Sequence, residues 1–240
     1  MLFSRHALIR LQALIIAALA LQLTGCGSAD DSFYPLGNGL VWHYDVSKTT
    51  MDGTFRQKFI AQSIPEVDWQ GTESFPIVSA AGEQYLYQKS ASAIHRVAFK
   101  GKDETTFTQH VKPQIVLPRP LKQGSGWQEI SHTKLLENTG PPWETLFRIV
   151  QPVKMRFEVV ALDVPVKVPA GNFNNCLKIS GFGETNVNVG NYIGRTIITV
   201  QVERWYAKGV GLIKSVRRET TTADAINAGT LSLELEYFAK

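Results

Sequence analysis

The chain is short of cysteine, of helical periodicity and of catalytic signatures, and each shortage narrows what it can be. It has 2 cysteines in 240 residues, Cys26 and Cys176. That excludes a disulfide framework. Cys176 reads as a small buried hydrophobe. The rival reading, a nucleophile, needs a histidine close in space that sequence does not supply. His6, His43, His95, His110 and His132 lie on different segments, with no H-E-x-x-H and no close pair, so no metal site is expected. There is no G-x-S-x-G elbow, and no P-loop or G-x-G-x-x-G spacing, so no nucleotide or other cofactor is expected. Acidic residues such as Asp103, Glu104, Glu129 and Glu137 are scattered through polar stretches. A glycosidase pair stays open, since paired carboxylates need not be near in sequence.

Charge of one sign is also scarce. The chain carries 25 basic and 21 acidic residues, a net charge of +4. Arg5 and Arg10 supply part of it; without them the balance is 23 to 21, or +2. A nucleic-acid partner therefore has no basic patch in the composition to rest on, and none is expected. Hydrophobic residues at 44% and charged residues at 19% describe a folded domain with a sizeable core.

What is present begins at the N-terminus. Arg5, His6 and Arg10 precede an apolar run over 13–23, broken only by Gln22, and then Leu23-Thr24-Gly25-Cys26. A positive leader, a short apolar stretch and small residues are the layout of a secretory signal. The run is shorter than the about 20 residues that span a bilayer. Leu23-Thr24-Gly25-Cys26 resembles the lipobox of bacterial lipoproteins. That resemblance implies cleavage before Cys26, acylation of Cys26 by palmitate-type chains, and a membrane anchor rather than a crossing. Gly27 follows, where an aspartate tends to hold such proteins at the inner membrane. The resemblance thus implies the outer membrane, on the periplasmic face. The expected organisation is a signal peptide over 1–25, a tether over 26–32 and one β domain over 33–240. The tether spans on the order of 15 Å, so the domain sits close to the lipid surface.

Glycine and proline punctuate short runs of β character, which predicts an all-β, mainly antiparallel protein. Residues 231–237 alternate apolar and polar, a strand with one wet face. Residues 196–206 put Ile198, Val200 and Val202 on one face. Residues 153–160 do the same with Val153, Met155, Phe157 and Val159. Shorter strands are predicted over 40–46, 54–60, 83–88, 94–99, 145–150, 176–180 and 211–216. The best short-helix segment is 220–228, which reads equally as a loop. Pro113, Pro118 and Pro120 break the middle of the chain, and Pro141 and Pro142 predict a loop there.

A faint duplication is also present. Pro35, Leu36, Gly39 and Trp42 follow the same spacing as Pro120, Leu121, Gly124 and Trp127, 85 residues later. Other matched segments lie up to 118 residues apart, so the halves 33–117 and 118–240 would differ in loop length. Chance recurrence of turn-plus-strand chemistry explains the match equally well.

Three segments carry a family resemblance: the opening Tyr34-Pro35-Leu36 with Gly39, Trp42 and Tyr44; Val168-Pro169-Ala170-Gly171 with Phe173, Cys176 and Leu177; and Trp205-Tyr206-Ala207 with Gly209, Val210 and Gly211. Together they resemble a broad, uncharacterised group of bacterial envelope proteins. The resemblance implies a curved, incompletely closed antiparallel β-barrel, similar to the periplasmic lipoprotein-carrier fold. It implies no reaction. Read physically, Gly171, Gly209 and Gly211 are turn residues, with Phe173 and Leu177 entering the core.

Trp42, Trp127 and Trp205 sit beside glycine turns, where they pack or cap. Trp69 and Trp143 fall in loops, where amphipathic aromatics can touch a lipid headgroup or another ligand. The expected function is a non-enzymatic envelope lipoprotein. It binds an apolar or lipid ligand, or an envelope protein. Two rivals stand beside it: an assembly factor of an envelope complex, and a hydrolase of envelope polymers with converging acidic or histidine side chains.

Overall fold

A computed structural model describes residues 32–140, 145–188, 194–224, 226 and 228–240; side chains are described except over 137–148. Cys26, the signal segment, most of the tether and Trp143 lie outside the described residues.

The described chain is all β and contains no helix. The first run of strands is β1 (Val41–Thr50), β2 (Gly53–Ser63), β3 (Val67–Trp69), β4 (Thr72–Ser79), β5 (Gln84–Lys89), β6 (Ala93–Lys100) and β7 (Thr108–Pro118). The second is β8 (Gly126–His132), β9 (Glu137–Gly140), β10 (Thr145–Arg148), β11 (Pro152–Val168), β12 (Gly171–Asn188), β13 (Arg195–Ala207), β14 (Gly211–Thr221) and β15 (Gly229–Ala239). Their order in the main sheet is β7-β6-β5-β4-β2-β1-β15-β14-β13-β12-β11-β8, all antiparallel. Each strand therefore lies beside its near neighbour in sequence, and β1 joins β15. The result is an up-and-down barrel with one unsealed seam, between β7 and β8. β3 pairs only with β4, and β9 and β10 form a separate hairpin.

The predicted incompletely closed barrel is what forms. Period-2 burial drives it. Val153, Met155, Phe157 and Val159 on β11 are all buried, as are Ile198, Val200 and Val202 on β13. Each side chain of this kind contributes about 1.5–3 kcal/mol when buried. The exposed alternates, among them Lys154, Arg156 and Glu158, face solvent. Two glycines on β12 make room for the β11 side chains. A Cβ on Gly181 would overlap the Phe157 ring, and one on Gly183 would lie 2.7 Å from Met155 Sδ and 2.8 Å from the Lys154 carbonyl oxygen.

Segment 220–228 is no helix where described. Thr220 and Thr221 end β14. The Thr196 hydroxyl reaches those of Thr221 and Thr222 at 2.6 and 3.0 Å. Hydroxyl bonding and β-branched side chains favour the extended chain there. Strand β7, absent from the predicted set, forms despite Pro113. Its pairing with β6 lapses between Ala98↔Gln109 and Arg96↔Gln114, so the proline sits where no ladder bond is needed.

The three family-like segments meet at one end of the barrel. Trp42 Nε1–H donates to the Val210 carbonyl at 2.6 Å, and Tyr44 Oη–H donates to the Leu212 carbonyl at 2.9 Å. Gly209 N–H donates to the Ser32 carbonyl at 2.8 Å. The tip of the β11–β12 hairpin reaches the same place. Ala170 N–H donates to the Leu235 carbonyl at 2.9 Å, and Val168 and Cys176 pack with Trp42, Ala207, Ile213 and Leu235.

Candidate ligand cavity

The barrel interior is incompletely filled. A cavity of about 430 Å³ lies between strands of the first run and β13, β14 and β15. Its apolar wall comes from Phe59, Ala61 and Ile77 on one side, and from Val202, Leu212, Leu231 and Leu233 on the other. Trp42, Tyr44, Tyr85, Tyr87, Tyr206 and the preceding Tyr34 add aromatic surface. The volume and the mainly apolar lining suit a small-molecule site. A second hollow of about 540 Å³, by Trp127, Arg156, Phe157, Glu158 and Phe182, has a more polar lining.

The tyrosines form a packed group. The rings of Tyr34 and Tyr87 are 5.4 Å apart, and those of Tyr34 and Tyr206 are 6.4 Å apart. Burial first, and the neighbouring phenols next, push Tyr34 and Tyr44 well above the ordinary tyrosine value. Tyr206 is also raised by burial, with Arg204 opposing. These hydroxyls therefore stay protonated at any physiological pH.

Charged side chains enter the same space. Arg96, on β6, donates from Nη2 to Gln114 Oε1 and lies 4.9 Å over the Tyr85 ring. Its Nε is buried without a partner. Arg204, on β13, lies 5.0 Å over the Phe157 ring, beside the Tyr206 phenol. Burial raises the Glu129 carboxyl above its ordinary value, opposed by Arg204 and Arg96. The Trp127 indole N–H and the Ile115 backbone lie by the carboxyl and favour its ionised form, but neither Glu129 Oε1 nor Trp127 Nε1, both buried, meets a partner in full hydrogen-bond geometry. Lys134 lines the cavity but is exposed overall; surrounding protein first, then Arg217, Arg204 and Arg96, hold it below its ordinary value, with Glu219 opposing.

Arg217 lines the cavity and is ion-paired with Glu219, which lies buried behind the wall. Arg217 Nε–H donates to Glu219 Oε1 at 2.5 Å, and its Nη2 donates to the His132 carbonyl at 2.8 Å. Glu219 also accepts the backbone N–H groups of Lys134 and Leu135 at 2.8–2.9 Å. The pair thus pins the segment after β8 to β14.

Trp69 ends β3 and packs, half-buried, against the Leu86, Val97 and Ala98 cluster, away from the cavity. Cys26 and Trp143 lie outside the described residues. Gly171 opens β12 at φ 137°, and Gly209 and Gly211 flank the β13–β14 turn at φ 69° and 98°. Gly211 also borders the cavity. Cys176 is buried among apolar side chains, its thiol raised by that burial, a setting that disfavours a thiolate. Among the described residues no group of three or more His, Cys, Asp and Glu is placed to hold a metal ion.

The cavity cations were not anticipated. One signal was legible: Arg204 falls in the inward series Ile198, Val200, Val202, Tyr206, a charge where the alternation calls for an apolar residue. Arg217 and Glu219 interrupt β14 in the same way.

No family model matches the chain, and no curated protein matches it significantly. Two solved structures are similar to it. One, provisionally described as a lipoprotein from Parabacteroides distasonis, is 13% identical with a TM-score of 0.38, over 86% of this chain and 98% of that one. The other, provisionally described as an exported protein with a YmcC-like fold from Bacteroides fragilis, is 13% identical with a TM-score of 0.38, over 87% of this chain and 99% of that one.

Proposed function

We propose that this chain is a lipid-anchored protein of the bacterial envelope whose barrel binds an apolar or amphiphilic ligand, without catalysing a reaction. The single observation that carries the binding reading is the cavity of about 430 Å³ with its wall of aromatic and aliphatic side chains. Empty apolar volume forgoes dispersion contacts, and an apolar occupant restores them. The unsealed seam between β7 and β8 offers a place where the wall can part without breaking ladder bonds. The lipobox-like segment ending at Cys26 supports the anchor and, with Gly27 after it, the outer membrane.

A hydrolase of envelope polymers finds less support. A two-carboxylate mechanism needs a second acid facing the first. Among the described residues Glu129 is the one carboxylate lining the cavity, and Glu219 behind it is committed to Arg217.

Native mass spectrometry of the purified chain tests the binding reading. A co-purified lipid-sized mass, or uptake from an envelope lipid extract, is expected; a clean unliganded mass with no uptake contradicts it. Cys26→Ala tests the anchor separately. The variant should leave the membrane fraction, and unchanged membrane association would remove the lipobox from the account.

A further inference from the structure

The cavity carries more positive charge than its own carboxylates balance. Arg217 is neutralised by Glu219. That leaves Arg96, Lys134 and Arg204 facing the space, against Glu129 alone. Among the described residues neither Arg96 nor Arg204 forms an ion pair; their guanidinium groups rest on the rings of Tyr85 and Phe157. Arg96 Nε remains a buried donor with no acceptor. A wholly apolar ligand would strip these groups of water and give nothing back, which is unfavourable for a charge. An anion would complete them with charge-assisted hydrogen bonds, for which the planar fork of arginine is suited.

We infer that the ligand is an anionic amphiphile, with a carboxylate or phosphate-ester head held by Arg96 and Arg204 and an acyl chain laid along the aromatic wall. This deepens the binding reading above and rests on it. The head stands beside Tyr206 and the chain lies toward Trp42 and Leu233. Burial holds the Glu129 carboxyl above its ordinary value, which lessens the repulsion an incoming anion meets. Lys134, crowded by three arginines, gains from the same negative charge.

The test uses the full chain, released from nonionic detergent into native mass spectrometry with dodecyl phosphate, dodecanoate, dodecanol and inorganic phosphate. The two anionic amphiphiles should outcompete dodecanol by about tenfold or more, as charge-assisted pairing against a neutral hydroxyl implies. Arg204→Gln and Arg96→Gln should bring that ratio to within about twofold while dodecanol still binds; Arg204→Lys, which keeps the charge, should retain part of it. Far-UV circular dichroism checks that each variant folds. Equal binding of dodecanol and dodecyl phosphate would overturn the head-group assignment and leave the apolar cavity standing. Inorganic phosphate binding as tightly as dodecyl phosphate would overturn the amphiphile in favour of a free anion. Absence of every adduct would overturn the binding reading and this inference with it.

Discussion

Arg217 on the cavity wall and Glu219, two residues further along β14 and fully buried behind it, pair at 2.5 Å. Three donors meet the carboxylate. It takes the guanidinium and the two backbone N–H groups of Lys134 and Leu135. A buried pair is stable only when such partners complete it. Its removal therefore exposes more than one missing contact.

Glu219→Gln should lower unfolding stability by about 3–5 kcal/mol, because Arg217 is left charged and buried without its partner. Urea unfolding followed by circular dichroism measures this. Glu203→Gln is the control. Its partner Lys178 lies at 2.5 Å but both side chains are partly exposed, so a change of about 1 kcal/mol or less is expected. Equal losses in the two variants would mean that burial does not decide the strength of these pairs.

Gly183→Ala should destabilise by about 1–3 kcal/mol, since the new methyl group meets Met155 Sδ at 2.7 Å and the Lys154 carbonyl at 2.8 Å, and the backbone cannot yield cheaply. Gly37→Ala is the counterpart. Nothing lies within 4 Å of its added Cβ and its φ is not positive, so it should be neutral or stabilising by about 0.4–1 kcal/mol. Thermal melts of the pair decide the matter; a tolerated Gly183→Ala would show that β11 and β12 can slide apart.

The barrel was legible wherever alternation ran unbroken. β13 and the first half of β11 announce themselves because Ile198, Val200 and Val202, or Val153, Met155, Phe157 and Val159, all face one way. β5 and β6 are harder to read inward from outward. Leu86 and Tyr87 are both buried, as are Val97 and Ala98, because the register shifts at those places. A bulge adds a residue that no period predicts. β7 was hidden by Pro113. The cavity itself could not be read at all. Arg96 and Arg204 stand 108 residues apart in sequence, and only closure through β1 and β15 brings their strands around one space. The family-like segments were visible as turns, but their meeting at Trp42 and Val210 depends on that same closure.

Trp42→Phe should cost about 1–3 kcal/mol. The ring packing against Phe238, centroids 5.9 Å apart, largely survives, while the Val210 carbonyl loses its 2.6 Å donor. Tyr44→Phe removes the corresponding 2.9 Å bond to Leu212. The two substitutions act on neighbouring carbonyls of one turn, so the double variant should depart from the sum of the singles by about 0.5 kcal/mol or more. Strict additivity would indicate that the β13–β14 turn is held elsewhere, for instance through Gly209 and Ser32.

Glu129 gives the fold a pH dependence of definite sign. Burial raises its carboxyl above the ordinary value of 4.5, and the nearby Arg204 and Arg96 only partly oppose this. Folding therefore favours the protonated acid. The stability it contributes is whole below 4.5 and is lost as pH rises through the higher folded value. Glu129→Gln cannot ionise and should not show that loss. The stability of the natural chain minus that of the variant should be larger at acid pH than at neutral pH. Urea unfolding of both proteins in matched buffers from acid to neutral measures the difference. A difference that instead grows toward neutral pH would mean that Arg96 and Arg204 hold the carboxylate ionised, and that the cavity already contains the anion its cations require.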